Sequence, residues 1–454
     1  MSTVVLILAA GLGTRMKSKL AKVLHHIAGR PLIRYVYEAA LSLFPERIIV
    51  VVGHQAEDVK AYLNGIHNSS CSLEFALQSV QRGTADAVAA AKPLLVNYDG
   101  IVAVLSGDVP LLSPPTLNEL KRTHMENAAA ATILSTEVKD PTGYGRIIRN
   151  QDGSFCKIVE HRDATELELG IREINTGIYC FDSKILFELL DAVTPQNAQN
   201  ELYLTDIPKL ALATGRRVCL LKTPNSQEVL GINDRSDLVT ADRILRMDKC
   251  HKLLLAGVTI LNPETTYIDL DVTVGQDSYI YPGVRLEGKT IIGQDCTIGT
   301  GARLTNCILG NNVTVKDYSI ICDSTLDDGV SVGPFAHIRM GAHLQSGAAI
   351  GNFVEVKKSS IGKNTKAMHL SYLGDATIGT GVNIGAGTIT CNYDGKQKHR
   401  TIIGDGARIG SDTMLIAPVS VGKNAVTGAG SVVTRDIPES SLAYGVPAEV
   451  KKQL

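Results

Sequence analysis

From about Val272 to Val446 the apolar positions recur every six residues. Ile292-Gly293-Gln294-Asp295-Cys296-Thr297 is followed by Ile298-Gly299-Thr300-Gly301-Ala302-Arg303. The same beat returns at Ile378 and Ile384, at Ile403 and Ile409, and at Val421. Each unit opens on a branched aliphatic residue, usually followed by Gly, with a small residue in fifth place. Six fits neither a helix, with a period of about 3.6, nor a strand, with a period of about 2. It fits a coil of short strands joined by tight turns. The aliphatic residue points inward, Gly permits the corner and the small residue fits the next one. Val332 and Ile350 stand eighteen residues apart, as do Ile403 and Val421, which is three units and one triangular turn.

The first 230 residues follow another pattern. Apolar runs at Val4–Ala9, Ile48–Val52, Leu73–Leu77, Ile101–Leu105 and Ala130–Leu134 predict strands. Amphipathic stretches such as Leu32–Leu43 and Ala85–Leu95 predict helices between them. That alternation predicts an α/β domain with a mostly parallel sheet, whose ligands gather beyond the carboxyl ends of the strands. From Asp234 to Leu255 there is no Gly or Pro, and Leu238, Ala241, Leu245 and Leu253 follow a helical period. Asn233 or Asp234 supplies its cap. The expected organisation is therefore residues 1–231, a linker helix at 232–256, and a repeat domain at 257–454. Glycine usage divides the chain in the same way, with 26 of the 42 glycines at or beyond position 270.

Composition changes this picture little. The 454 residues are 44% apolar and 20% charged, ordinary for a globular protein with a sizeable core. A formal net charge of −1 argues against a global nucleic-acid or membrane footprint, so any anion site must be a local cluster. Nine cysteines with no C-x-x-C pair read as reduced thiols in a cytoplasm. The run Val4–Ala10 is too short for a membrane span and lacks the basic start of a signal peptide, so it reads as a buried first strand.

The candidate chemistry begins where that strand ends. Ala10-Gly11-Leu12-Gly13-Thr14-Arg15-Met16, with Lys22 soon after, brings glycines and two cations to a strand-to-helix turn, a setting that suits phosphate. A Gly-x-Gly turn alone is most often only a turn, and no Walker A loop is present; Arg15 and Lys22 are what single this one out. The fourth strand ends Ser106-Gly107-Asp108. A carboxylate at such a tip is either a turn cap or a ligand of Mg²⁺, which takes one or two protein oxygens plus substrate phosphates.

These residues carry a resemblance. The Leu8–Met16 loop, Lys22, Gln78 with Gly83-Thr84, Gly107-Asp108, Gly143-Tyr144-Gly145-Arg146, Val159-Glu160-His161, Glu173-Ile174-Asn175-Thr176-Gly177 and Gly231-Ile232-Asn233 resemble the sugar-1-phosphate nucleotidyltransferases. Joined to hexapeptide repeats, the whole chain resembles the bacterial family of bifunctional N-acetylglucosamine-1-phosphate uridylyltransferases / glucosamine-1-phosphate acetyltransferases. The resemblance implies a UTP/UDP-sugar site of Leu8, Gly11, Gly13, Arg15, Lys22, Gln78, Gly83, Thr84, Ser106, Gly107, Asp108, Gly145, Glu160, Asn175 and Asn233. Within it, Gly11, Gly13, Arg15 and Lys22 hold phosphates, and Gln78, Gly83 and Thr84 read uracil. Gly145, Glu160 and Asn175 bind the sugar phosphate, and Asp108 and Asn233 hold Mg²⁺. Ser106 stands where this family often has an aromatic residue, and Ala21 replaces a common Pro before Lys22, which loosens the loop.

In the repeat half the informative place is where the period stops, at Thr390 to Arg400. An amide, a phenol and several cations in one insertion favour a site for an anionic ligand. His337, His343 and His399 read as surface or satisfied core residues, or at most as neighbours of a ligand, whereas His369 has the family's setting. The resemblance implies His369 as catalytic base with Glu355 orienting it. It implies Arg339, Lys357, Tyr372, Asn383 and Lys398 for the acetyl acceptor, and Ala386, Asn392, Tyr393, Ser411 and Ala429 for acetyl-CoA. On spacing alone Ala386 and Ala429 are just the small position of the repeat. The segment Ala443–Pro447 lacks the Arg usual at this enzyme's end, for which Lys451 and Lys452 are substitutes.

The resemblance further implies a left-handed β-helix, a homotrimer, a cytoplasmic location, and the substrates glucosamine 1-phosphate, acetyl-CoA, N-acetylglucosamine 1-phosphate and UTP. Two alternatives stay open at this point. One is a single-activity nucleotidyltransferase with a structural or allosteric coil; the other is a non-catalytic regulatory subunit. The insertion and His369 argue against the first, and the retained Arg15, Lys22 and Asp108 against the second.

Overall fold

The computed structural model describes residues 1–68 and 71–454. The chain divides into two compact units, Met1–Arg243 and Ile244–Leu454.

In the first unit the apolar run Thr3–Ala9 lies at the centre of a nine-stranded sheet. It pairs in parallel with Arg47–Val52 on one side and with Ile101–Ser106 on the other. Ser72–Leu77 continues the sheet in parallel beyond Arg47–Val52. On the opposite flank Glu173–Asp182 runs antiparallel to both Ile101–Ser106 and Ala131–Glu137, and Val218–Thr223 closes the path in parallel. Alternate residues of the first strand enter two different cores, Val5 and Ile7 in one and Val4 and Leu6 in the other. A strand buried on both faces has to be apolar throughout. Because the chain leaves Thr3–Ala9 toward neighbours on both sides, a crevice opens beyond the carboxyl ends of Thr3–Ala9 and Ile101–Ser106.

The helix expected over 85–95 is split into an α-helix, Thr84–Ala89, and a 3-10 turn, Lys92–Leu95. Pro93 lacks the N–H that continuation needs. The long helix spans Arg235–Leu255. Asp234 caps it, its Oδ1 accepting from the Ser236 and Asp237 amides at 2.8 and 3.1 Å. Asp237 returns the contact, accepting from the Asn233 amide at 2.8 Å. The division between the two units falls inside this helix.

In the second unit each short strand pairs in parallel with the strand one coil away. Tyr279 aligns with Thr297, Arg285 with Arg303, and Ile291 with Ile308, which defines three faces. Ile280, Ile298, Val315 and Val332 fill the interior and are fully buried. Apart from Gly333, at φ +96°, the glycine after the aliphatic residue mostly stays out of the left-handed region and does not turn the corner. A Cβ on Gly293 would lie 2.4 Å from the Gly310 carbonyl, so Gly is required there by the close approach of the next coil. Corners are instead turned by residues in the left-handed region, such as Asp295, Asn312 and Asn424. At one corner that conformation is taken by Tyr318, Phe335 and Phe353, all at least half exposed. Their rings stack at centroid spacings of 5.5 and 5.6 Å. Among the described residues no helix is long and apolar enough to cross a membrane.

Candidate active sites

The glycine loop after Thr3–Ala9 and the tip of Ile101–Ser106 meet in the crevice of the first unit. Gly107 donates to the Leu8 carbonyl at 2.9 Å, and a Cβ on Gly107 would crowd that oxygen. Asp108 is thereby held beside the loop, and its carbonyl accepts from Ile232 at 2.9 Å, which brings Gly231–Asn233 to the same place. Four charged or amide side chains converge there. Lys22 Nζ donates to Asp108 Oδ2. It also lies 3.4 Å from Asn233 Oδ1, to which Arg15 donates at 2.8 Å. Ser106 Oγ donates to the other Asp108 oxygen at 2.7 Å. The residue that departs from the resemblance therefore orients the carboxylate. Ala21, with φ −53°, keeps the backbone a proline would impose, so the loop is not opened by its loss.

Leu8, Gly11, Lys22, Gln78, Gly83, Thr84, Ser106 and Asp108 line a cavity of about 260 Å³. Gln78 is buried, and its amide nitrogen donates to the Gly83 carbonyl at 3.1 Å and to Asp86 at 2.9 Å. Both N–H groups are thus spent inside the protein, which leaves the amide oxygen as the free acceptor. Gly83 has φ +119°, and a Cβ there would lie 2.4 Å from the Leu202 carbonyl. Thr84 accepts from the Leu204 amide at 3.0 Å. An adjoining cavity of about 700 Å³ contains Arg15, Thr84 and Glu160. Burial pushes the Glu160 carboxyl up, and Thr205 donates to it at 3.2 Å. Gly145 packs against Glu160 and accepts from the Asn175 amide at 2.9 Å.

In the second unit the coil's register assembles two groups. Asn352 pairs with His369, and the Leu370 carbonyl accepts from Gly387. The Ala386 carbonyl accepts from Asp412, and that of Ser411 from Gly430. His369, Ala386, Ser411 and Ala429 therefore follow one corner, coil after coil. On the adjacent face Arg339 lies over Lys357 and Gly374, and Glu355 over Tyr372. Asn392 donates to Asp375 and lies 3.4 Å from the Tyr372 hydroxyl. Lys357 beside it holds the Lys398 amine below its ordinary value, with Asp375 opposing. The insertion is ordered about Asp394, which accepts from the Lys396 and Gln397 amides at 2.8 Å and pairs with His399 at 2.7 Å. Those bonds hold the Asp394 carboxyl well below the usual range. Tyr393 is exposed.

Two expectations change. Glu355 does not orient His369 within this chain. It is tied to Arg339 at 2.7 Å, and its register partner is Tyr372. The imidazole Nδ1 meets Asn352 Oδ1 at 3.2 Å instead. Asn352 went unnoticed in the sequence, although it precedes His369 by one coil. Asn383 is not brought to Tyr372 and Lys357; it stands on the neighbouring face in register with Lys366 and Arg408. At the C-terminal hairpin Lys451 is engaged by Glu449 at 2.6 Å.

Comparison with known proteins agrees with this division. A family model for nucleotidyl transferases matches residues 4–225. A model of the GMPPB C-terminal domain matches 264–345, and bacterial transferase hexapeptide (six repeats) matches 400–435. The fold and these matches define a transferase of two parts: an α/β nucleotidyltransferase unit followed by a left-handed parallel β-helix of hexapeptide repeats. Proteins named bifunctional protein GlmU align along almost all of it. The relative from Geobacillus thermodenitrificans is 50% identical over 98% of this chain and 96% of its own. That from Geobacillus sp. (strain WCH70) is 48% identical over the same shares, and that from Carboxydothermus hydrogenoformans is 47% identical over 99% and 98%. The chain belongs to the bifunctional GlmU family and is an enzyme with a uridylyltransferase half and an acetyltransferase half.

Proposed function

We propose that residues 257–454 acetylate glucosamine 1-phosphate from acetyl-CoA. Residues 1–231 then join the N-acetylglucosamine 1-phosphate to UTP, with helix 232–256 between them, forming UDP-N-acetylglucosamine and pyrophosphate. The observation that carries this reading is that each unit holds its own cluster of reactive groups: Arg15, Lys22, Asp108 and Asn233 in one, His369 with its corner column in the other.

For uridylyl transfer the sugar phosphate is already ionised and attacks the α-phosphorus in line with departing pyrophosphate, so no general base is needed. Arg15 and Lys22 neutralise phosphate charge. Gln78 offers its free amide oxygen to the uracil imide N–H, and the Gly83 backbone allows the close approach. Glu160, Asn175 and Gly145 take the sugar. Asp108 and Asn233 suit Mg²⁺, since both present oxygen and one ammonium already lies against both. Held there, the ion would supply charge neutralisation on the phosphates.

For acetyl transfer, His369 donates Nδ1–H to Asn352 and so presents Nε2 as base to the substrate ammonium. The freed amine attacks the thioester carbonyl, and the CoA thiolate leaves. A positioned imidazole contributes roughly 10²–10⁴-fold. Arg339, Lys357, Tyr372 and Lys398 would hold the acceptor and its phosphate. Ala386, Ser411 and Ala429 would line the pantetheine groove, with Asn392 and Tyr393 at the carbonyl. We further propose a cytoplasmic homotrimer. Asn383 lies on a different face from Lys357 and Tyr372, so neighbouring copies are needed to bring all the acceptor residues together, and the exposed aromatic corner offers an apolar contact.

The test is a double dissociation. His369→Ala is expected to abolish acetyl transfer and spare uridylyl transfer, and Asp108→Ala the reverse, with thiol and pyrophosphate release followed separately. Loss of both activities from either folded variant would refute the two-site assignment.

A further inference from the structure

We propose that Ser106 is a positioning residue that reserves one oxygen of Asp108. In our reading Lys22 competes with a divalent cation for the other oxygen, so that metal enters this site only together with the nucleotide. The proposal rests on the reading of Asp108 and Asn233 as the metal-holding pair.

The carboxylate is divided between two partners of different kind. Ser106 Oγ, a neutral donor, holds Oδ1 at 2.7 Å. Lys22, a cation, holds Oδ2 and also reaches Asn233 Oδ1 at 3.4 Å. Arg15 holds that same amide oxygen at 2.8 Å. The two oxygens that a metal would take are therefore both covered by fixed positive charge. Side-chain exposures of 14% for Lys22 and 20% for Asp108 leave the pair weakly screened by solvent.

Charge accounting points the same way. Asp234 and Asp237 line the same cavity but are taken up by backbone amides at the start of the helix, whereas Lys22 and Arg15 stand directly on the two oxygens a metal would take, so a dication arriving alone meets positive charge first. Among the described residues no group of three or more His, Cys, Asp or Glu side chains gathers to hold a metal. Magnesium prefers about six oxygens in octahedral array and gives up its waters reluctantly. Two protein oxygens do not offset that reluctance. A triphosphate supplies both the missing oxygens and the negative charge that draws Lys22 and Arg15 away. The step is an exchange of ionic partners with no proton or covalent bond moved: two cations pass to phosphate oxygens, and Asp108 Oδ2 and Asn233 Oδ1 become available together.

The local structure favours a short exchange. The Lys22 stem packs against the glycine loop, where a Cβ on Gly13 would lie 2.8 Å from Lys22 Cβ. Only the end of the side chain needs to swing from the carboxylate toward the loop. Ser106 is not contested by the incoming cation, so it keeps the carboxylate turned the right way while Lys22 departs.

Manganese retained with the protein on an ultrafiltration membrane, with and without UTP, tests this. Parent protein is expected to retain Mn²⁺ at least tenfold more tightly with UTP than without. Lys22→Gln should raise nucleotide-free Mn²⁺ affinity at least tenfold, and Ser106→Ala should lower Mn²⁺ retention with UTP severalfold. Thermal midpoints verify that the variants are folded. Equal retention with and without UTP in the parent overturns the proposal, as does an unchanged nucleotide-free affinity in Lys22→Gln. Unchanged retention in Ser106→Ala overturns the positioning role. Asp108→Asn separates the two levels. If it retains Mn²⁺ with UTP as the parent does, the metal-pair reading itself fails. If it loses Mn²⁺ while Lys22→Gln changes nothing, only the competition fails.

Discussion

Asn352 and Glu355 lie three residues apart on one strand, yet their partners differ completely. Asn352 faces His369 one coil on, and Glu355 faces Arg339 and Tyr372. An imidazole whose Nδ1–H is held by an acceptor presents Nε2 in one orientation. Asn352→Ala should therefore lower kcat of acetyl transfer roughly tenfold with little change in KM. Glu355→Gln should act mainly on the KM of the sugar phosphate by freeing Arg339. Steady-state kinetics of thiol release distinguish the two. In the first unit, Gly83→Ala places a side chain at φ +119° against the Leu202 carbonyl. A rise of at least roughly tenfold in the KM for UTP is expected, measured by pyrophosphate release. The glycine-rich loop and its cations were legible as residue types. Which oxygen each cation holds was not, because Arg15 and Asn233 are 218 positions apart.

At the scale of elements, the helix Pro114–Glu126 packs on Ala131–Glu137 through a buried histidine. His124 Nδ1 meets Thr132 Oγ1 at 3.0 Å, and burial lowers the ring's pKa to about 4. The native value lies below the ordinary one, so the neutral ring's stabilising contribution is complete above about pH 6.5. It is lost as pH falls toward about 4, a loss on the order of 3 kcal/mol by linkage. His124→Gln should flatten the fall of the thermal midpoint between about pH 6.5 and 4.5, read by circular dichroism. The strand runs and the repeat were legible because burial on two faces and a six-residue period each impose a composition. The reason for the second-position glycine was not legible there: Gly293 answers to the neighbouring coil, and the left-handed turns fall to residues such as Asp295 and Asn312.

For the whole molecule, the stacked Tyr318, Phe335 and Phe353 form an exposed apolar column on the coil that also carries His369. Aromatic side chains held at positive φ and left half in solvent are costly, and under the proposed homotrimer a second copy would cover them and offset that cost. Light scattering should give a native mass near three times the 48.5 kDa of the chain. Phe335→Ser together with Phe353→Ser should shift the protein toward the monomer and depress acetyl transfer, while uridylyl transfer persists. A monomeric parent with full acetyl transfer would contradict the shared-site reading.

By itself the sequence determined the two architectures and the order of their motifs, and it supplied the candidate reactive side chains. Periodicity, buried apolar runs and loop chemistry are local properties, and each is written within a few dozen residues. Only the tertiary structure decided which reactive groups hold one another. Lys22 lies on Asp108, Arg15 on Asn233, and Asn352 rather than Glu355 on His369. Those choices follow from strand register and from the crevice where distant loops meet, and a hydrogen bond between positions far apart leaves no mark in the spacing of either.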